Sequence, residues 1–283
     1  MRLDPAQAGH DRQSLAGALS DLRRASGLSG QRLARRCGMS QSKVSRIETG
    51  RLLPSVLDVQ QILGALGVDQ ATRQQLLALA RVTNTQYQDI RASVRRGLHH
   101  RQKELAALEA SATHVRYFLP ALITGLLQTP AYLRQALHSP VDPAARADRS
   151  RSIAAKLVRQ SILHDHSKRF DFLLTDSAVR WQLCDPAVMA AQLDHLISVS
   201  HLPTVHMGIL PQDIRVPDGP MNGFVIYDMR LVTIELFTGQ LVLRDPKDID
   251  HYHALFGFFT SHALWSDAAR NHLDTLAGAF RRQ

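Results

Sequence analysis

The sequence predicts an all-α domain of five helices followed by an α+β domain with a small, mostly antiparallel sheet. Three observations carry this. Between residues 14 and 82, five segments repeat apolar residues at three- and four-residue spacing, most opened or closed by a capping residue. After residue 104, short apolar runs of strand length are interleaved with helical stretches. Between the two, residues 83–103 have few core-forming side chains and many basic ones, which reads as a basic linker.

Charge divides the chain at the same place. Residues 1–103 hold 17 Lys and Arg against 7 Asp and Glu, whereas residues 104–283 hold 17 against 18. The net charge of +9 therefore arises wholly in the first part. Binding to phosphates needs such an excess, because Lys and Arg displace condensed counterions from a duplex. Two cysteines, Cys37 and Cys184, are too few for a disulfide framework and fit a reducing, cytoplasmic compartment. No run of signal-peptide type opens the chain, and none approaches the roughly 18 apolar residues of a membrane span.

In order, residues 1–13 are polar and mixed and read as a disordered N-terminus, with the first domain spanning 14–82. Ser14 to Ala25 places Leu15, Ala18, Leu19 and Leu22 on one helical stripe. Leu28 to Gly38 reads as a cap, a short helix and a tight turn. In Ser40 to Gly50, Ser40 can cap a helix and Gly50 can end it in the left-handed conformation. Val44 and Ile47, three apart, share one face, while Gln41, Ser42, Ser45 and Arg46 fall on the other. Gln pairs bidentately with adenine and Arg with guanine, so this outer face suits base edges in a major groove. Ser55 to Leu66 and a helix capped by Asp69 complete five.

The linker carries Arg91, Arg95 and Arg96, which suit DNA flanking a site. The second domain is read as 104–283. Helices are expected at 104–112, 130–137, 143–164, 176–183, 186–199, 246–264 and 266–280, and extended segments at 114–118, 170–174, 205–210, 223–227, 231–237 and 241–243. Its aromatic residues, among them Tyr117, Phe118, Trp181, Phe224, Tyr227 and Phe259, suit either a core or an apolar effector cavity.

The segment L-S-G-Q-R-L-A-R-R-C-G-M-S-Q-S-K-V-S-R-I-E-T-G-R-L-L-P closely resembles the Xre family, whose fold is that of the lambda-type phage repressors; the match covers roughly residues 14–80. The resemblance implies a helix-turn-helix with residues 40–49 as recognition helix. It implies base reading by Gln41, Ser42 and Arg46, and phosphate contacts from Ser40, Lys43, Ser45 and Arg51. It pairs Arg23 with Glu48 as a structural ion pair. Where the family often carries a phosphate-touching Gln, this sequence has Gly30, with Gln31 next. Double-stranded DNA with a palindromic operator and a homodimer are the implied partners.

The second half carries L-P-A-L-I-T-G-L-L-Q-T-P-A-Y, A-A-K-L-V-R-Q-S-I-L, M-A-A-Q-L-D-H-L and V-H-M-G-I-L-P in that order. These resemble the C-terminal domain of actinobacterial Xre-type regulators described as antitoxin-like. The resemblance implies a small partner protein as the alternative function; a small-molecule effector, suited by the aromatic residues of this half, is a further one. No site residue transfers from it.

Other chemistries find little support. No G-x-x-x-x-G-K-[ST], G-x-G-x-x-G, H-E-x-x-H or G-x-S-x-G occurs, so no cofactor site and no enzyme is expected. His164-Asp165-His166 and His251-Tyr252-His253 would share a face only on a strand, since i and i+2 point apart on a helix; neither segment reads as a strand, and no metal site is expected.

Overall fold

The computed structural model describes residues 5–89, 98–136 and 149–283. They form two compact units, Met1–Gln88 with Gln240–Ile249, and Asp89–Gly239 with Asp250–Gln283.

The first unit is built on five helices: α1 (Pro5–Ala25), α2 (Gly30–Cys37), α3 (Gln41–Glu48), α4 (Val56–Leu66) and α5 (Gln70–Asn84). Ser29, Ser40, Ser55 and Asp69 cap α2 to α5, each accepting from the backbone N–H three residues on. Each thereby satisfies one of the helix's unpaired donors. Asp58 returns a bond to the Ser55 N–H, completing a capping box. Leu15, Leu19, Leu33, Val44, Ile47, Val59, Ile62 and Leu63 form the core. Cys37 is buried beneath them, and burial, then the Asp58 charge, pushes its thiol pKa up.

Two expectations change here. Helix α1 begins at Pro5, inside the stretch read as disordered. Proline's fixed φ suits a first helical turn, and Ala6, Gln7 and Ala8 are good helix formers. The start of the expected linker is folded: α5 runs to Asn84, and Thr83 and Asn84 are buried. Asn84 Nδ2 donates to Pro54 O at 2.8 Å and Ala80 O at 2.9 Å, a tertiary use that composition cannot reveal. Strand β1 (Thr85–Asp89) follows. Arg91, Arg95 and Arg96 lie outside the described residues.

The second unit runs α6 (Leu98–Ser111), β2 (His114–Leu119), a 3-10 turn (Gly125–Leu127), α7 (Pro130–Ala136) and α8 (Arg149–Arg159), which tightens into a 3-10 turn (Gln160–His164). It continues with β3 (Arg169–Thr175), α9 (Asp176–Arg180), α10 (Pro186–Val199), β4 (Val205–Leu210), β5 (Phe224–Tyr227) and β6 (Leu231–Glu235). Then come β7 (Gly239–Leu243) and α11 (Pro246–Thr260), of which residues 240–249 fall in the first unit, and β8 (Leu264–Trp265) and α12 (Ser266–Arg281).

Within this unit the strand order is β6-β5-β2-β3-β4-β8. The sheet is mostly antiparallel, as expected, with β2–β5, β4–β8 and β5–β6 antiparallel, but it is larger and mixed. The pairs β2–β3 and β3–β4 are parallel, with Val115 opposite Phe170 and Tyr117 opposite Phe172. Parallel neighbours need long crossovers, and the helices between these strands supply them. The β5–β6 pair is antiparallel across a tight turn at Asp228, whose φ is 50°. One sheet face places Val115, Tyr117, Phe170, Phe172, Met207 and Tyr227 in a core shared with α10 and α12. The other stacks Phe118 on Phe259 at 4.6 Å. Of the aromatic residues, Tyr117, Phe118, Phe224, Tyr227 and Phe259 are core, while Trp181 and Phe237 are exposed. A Cβ at Gly208 would lie 2.7 Å from the Trp265 ring, so only glycine fits there.

Residues 240–249 belong to the first unit, although the sequence reading grouped them with the second half. Strand β7 neighbours β1, and Asp245 Oδ2 accepts from the Val56 N–H at 3.1 Å, adding a distant carboxylate to the α4 N-terminus.

Asp171, on the interior strand β3, gathers three basic side chains, with Arg116 Nε at 3.8 Å from Oδ2. His114 Nε2 lies 2.6 Å from Asp171 Oδ2, and Arg169 Nε donates to Oδ1 at 2.8 Å. Burial raises the Asp171 pKa, but these bonds outweigh it and hold the carboxyl below its ordinary range. Because the folded pKa is depressed, the stabilisation is present above the ordinary carboxylate pKa of about 3.9 and is lost as pH falls through the folded value. Asp171→Asn is expected to cost about 1.5–3 kcal/mol at neutral pH. Urea denaturation across a pH series checks this, the deficit shrinking in acid.

Candidate nucleic-acid interface

Helix α3 presents its outer face because its inner face is fixed. Val44 and Ile47 are 1% and 0% exposed and pack with residues of α1, α2 and α4. Rotation about the helix axis is thereby set, and Gln41, Ser42, Ser45 and Arg46 are exposed. Between α2 and α3 lie Gly38, Met39 and Ser40, the three-residue turn of a helix-turn-helix. Gly38, at φ 65°, takes the left-handed conformation that such a turn requires. The α3 C-terminus turns at Gly50, where φ is 67° and an added Cβ would meet Gln13 Oε1 at 3.3 Å.

Each of the other site residues has a definite place. Ser40 Oγ accepts from the Lys43 N–H at 3.2 Å and lies 3.1 Å from Ser42 Oγ. Arg46 is exposed, its Nε donating to Ser42 O in a long contact of 3.4 Å. Arg51 is exposed just past the helix. Arg23 Nε donates to Glu48 Oε1 at 2.6 Å, with both side chains mostly buried, and Arg23 Nη1 donates to Leu28 O at 2.9 Å. That pair ties α3 to α1 and to the loop before α2. Gln31 is exposed in the first turn of α2.

Lys43 differs from its companions. Its Nζ donates to Asp58 Oδ1 at 2.7 Å, so its charge is engaged with α4. A lysine in a basic helix gives no sequence signal of an aspartate 15 residues away. The exposed arginines of α2, Arg32, Arg35 and Arg36, were not singled out from the sequence. Among the described residues no carboxylate lies within ion-pair distance of Arg32, Arg35, Arg36, Arg46 or Arg51, while Glu48 and Asp58 are engaged by Arg23 and Lys43. The two helices thus present unpaired guanidinium groups and neutral hydrogen-bonding side chains, the set that contacts phosphates and base edges.

Comparison with known proteins adds to this geometry. A family model described as a helix-turn-helix domain matches residues 14–76, and it supports DNA binding by this unit. A second, described as a domain of unknown function (DUF5753), matches residues 102–275. No curated protein matches the chain. Among solved structures, the chain is similar to TrmBL2, an archaeal chromatin protein whose structure shows a novel mode of DNA binding. The TM-score is 0.34 and the identity 11%, over 65% of this chain and 53% of that one, so the chain spans about half the length of that protein. It is also similar to Nuc, a phospholipase D family member from Salmonella typhimurium, with a TM-score of 0.33 and 9% identity over 59% of this chain and 90% of that one. At these TM-scores neither likeness bears on function. No described helix is long and apolar enough to cross a membrane. The DUF5753 model spans more than half of the chain, and the protein belongs to that family, with a helix-turn-helix domain at its N-terminus.

Proposed function

We propose that the protein is a sequence-specific, double-stranded DNA-binding transcriptional regulator of Xre type. The observation that carries this reading is the α3 outer face, where Gln41, Ser42, Ser45 and Arg46 are exposed on a helix locked by Val44 and Ile47. In the major groove, Gln41, Ser42 and Arg46 read base edges, and Ser45 and Arg51 hold the backbone. Ser40 caps the helix and brings the phosphate-facing N-terminus to the duplex. Lys43, bound to Asp58, acts mainly by holding α3 against α4.

The regulator works as a homodimer on a roughly palindromic operator, with half-sites about one helical turn, or 34–36 Å, apart. The second domain supplies dimerisation and effector or partner sensing. Support for that division comes from the charge asymmetry of the sequence: the near-neutral second half lacks the excess that a duplex attracts.

Two measurements test the reading. Selection of an operator from random DNA, followed by titration at fixed salt, should show Arg46→Ala losing about 1–3 kcal/mol of binding and relaxing preference at one base pair. Lys43→Ala should lose less, because its ammonium is engaged with Asp58. Operator affinity unchanged in Arg46→Ala removes that residue from the readout. Native mass spectrometry of the full-length protein should give a dimer; a bare monomer overturns the palindromic operator, and a complex with a second small polypeptide turns the assignment to the antitoxin-like reading.

A further inference from the structure

A carboxylate far down the chain completes the helix-turn-helix unit. Asp245 belongs to that unit with the rest of Gln240–Ile249, and only 8% of its surface is exposed. It precedes Pro246 at the start of α11, and the Ile249 N–H donates to its carbonyl at 3.0 Å. Asp245 therefore caps α11, its Oδ1 accepting from the Lys247 N–H at 3.0 Å. Oδ2 is left over from that role. It accepts from the N–H of Val56, the first residue of α4, at 3.1 Å across a separation of 189 residues. A single carboxylate thus serves the unpaired donors and positive ends of two helices.

Its neighbours fasten the same junction. Asn84 Nδ2 donates to Pro54 O at 2.8 Å, and Asn84 O accepts from the Arg244 N–H at 3.2 Å. Residues 54 and 56 are thereby held from outside the loop, the one by Asn84 and the other by Asp245. They mark the end of the connection that leaves α3 and the start of α4. The near end of that connection is tied to α3, where the Leu52 N–H donates to Arg46 O at 2.9 Å.

What the junction controls is the recognition helix and the arginine that follows it. Asp58, in the first turn of α4, accepts from the Ser55 N–H at 3.2 Å and from Lys43 Nζ of α3 at 2.7 Å. A shift at the start of α4 is passed to α3 through that carboxylate. Arg51 is exposed on the loop, between the tie at Leu52 and the last residue of α3. Contacts to phosphate set the register of a protein on a duplex. The placement of this loop therefore decides whether Arg51 reaches the backbone while α3 lies in the groove.

Removal of Oδ2 takes the partner from the Val56 N–H at the point where loop and α4 meet. We propose that Asp245 is a positioning residue for operator binding: through Val56 it sets the loop between α3 and α4, and with it the contact of Arg51 to the DNA backbone. The stretch that the sequence marks as the DNA-binding domain, 14–82, is then incomplete for operator binding, and residues 240–249 finish it. This rests on the reading that α3 and Arg51 meet the duplex.

Operator titrations of the full-length protein over a salt series test it, with Asp245→Ser, Arg51→Ala and the double variant beside the parent. Ser caps a helix about as well as Asp, so Asp245→Ser keeps α11 capped and withdraws only the oxygen that serves Val56. It should weaken operator binding about threefold or more, the scale of one lost N-terminal hydrogen bond. The slope of log affinity against log salt should become shallower by about one, as in Arg51→Ala, because one phosphate contact is lost. In the double variant the two losses should not add. A merely structural role lowers the folded fraction and leaves the slope of the folded protein unchanged. Circular dichroism melts show whether Asp245→Ser is folded at the assay temperature. Asp245→Asn, an equally good cap whose other side-chain atom is a donor turned toward the Val56 N–H, should repeat its result. Parent-like affinity, an unchanged slope or additive losses overturn the proposal, as does unfolding of both variants. If Arg46→Ala and Arg51→Ala both bind like the parent, the reading of α3 fails; if those two lose affinity and Asp245→Ser does not, only the role of Asp245 fails.

Discussion

Burial of Val44 and Ile47 sets the rotation of α3 about its own axis, and the exposed face follows from that rotation. An eight-residue helix has little stability alone, because nucleation costs more than a few hydrogen bonds return. Its position is therefore owed to tertiary contacts: the two apolar side chains, the Ser40 cap and the Arg23–Glu48 pair. The pair is mostly buried, and removing either partner would leave an uncompensated charge against the core. The same contacts that stabilise the unit aim Gln41, Ser42 and Arg46 outward together.

Charge management around this helix follows one rule. Carboxylates near α3 are each matched by a cation that is then unavailable to a duplex, Glu48 by Arg23 and Asp58 by Lys43. The exposed arginines of α2 and α3 have no such match among the described residues. Attraction toward phosphate is left to the unmatched groups, while the matched ones hold geometry. Lys43 shows why charge counting along a sequence overstates an interface: a positive charge contributes to DNA attraction only to the extent that nothing in the fold has already neutralised it.

The second unit contrasts with the first in how it treats polar groups. Asp171 and Asp228 are fully engaged, the one by His114 and Arg169, the other by the Thr113 and His114 backbone N–H groups. Asp176 is likewise bonded to His272 at 2.8 Å and Arg180 at 2.7 Å. The interior between α6 and α8 departs from this pattern, since Glu109 and Arg159 are buried yet incompletely bonded. Burial pushes the Glu109 pKa up, against the opposing pull of Arg159.

The sequence by itself determined the helices of the first unit, the spacing of their caps and the identity of the α3 faces, because apolar periodicity and Ser, Asp and Gly caps are local properties. It also located α10 and β4 residue for residue, since a proline start and an uninterrupted apolar run are equally local. Only the tertiary structure decided that the sheet is mixed, because parallel pairing depends on which strands a crossover brings together. It alone assigned Gln240–Ile249 to the first unit, through Asp245 at the α4 N-terminus. It alone engaged Lys43 with Asp58 and brought Arg159 against Glu109, because contacts between residues far apart in the chain leave no periodic trace in it.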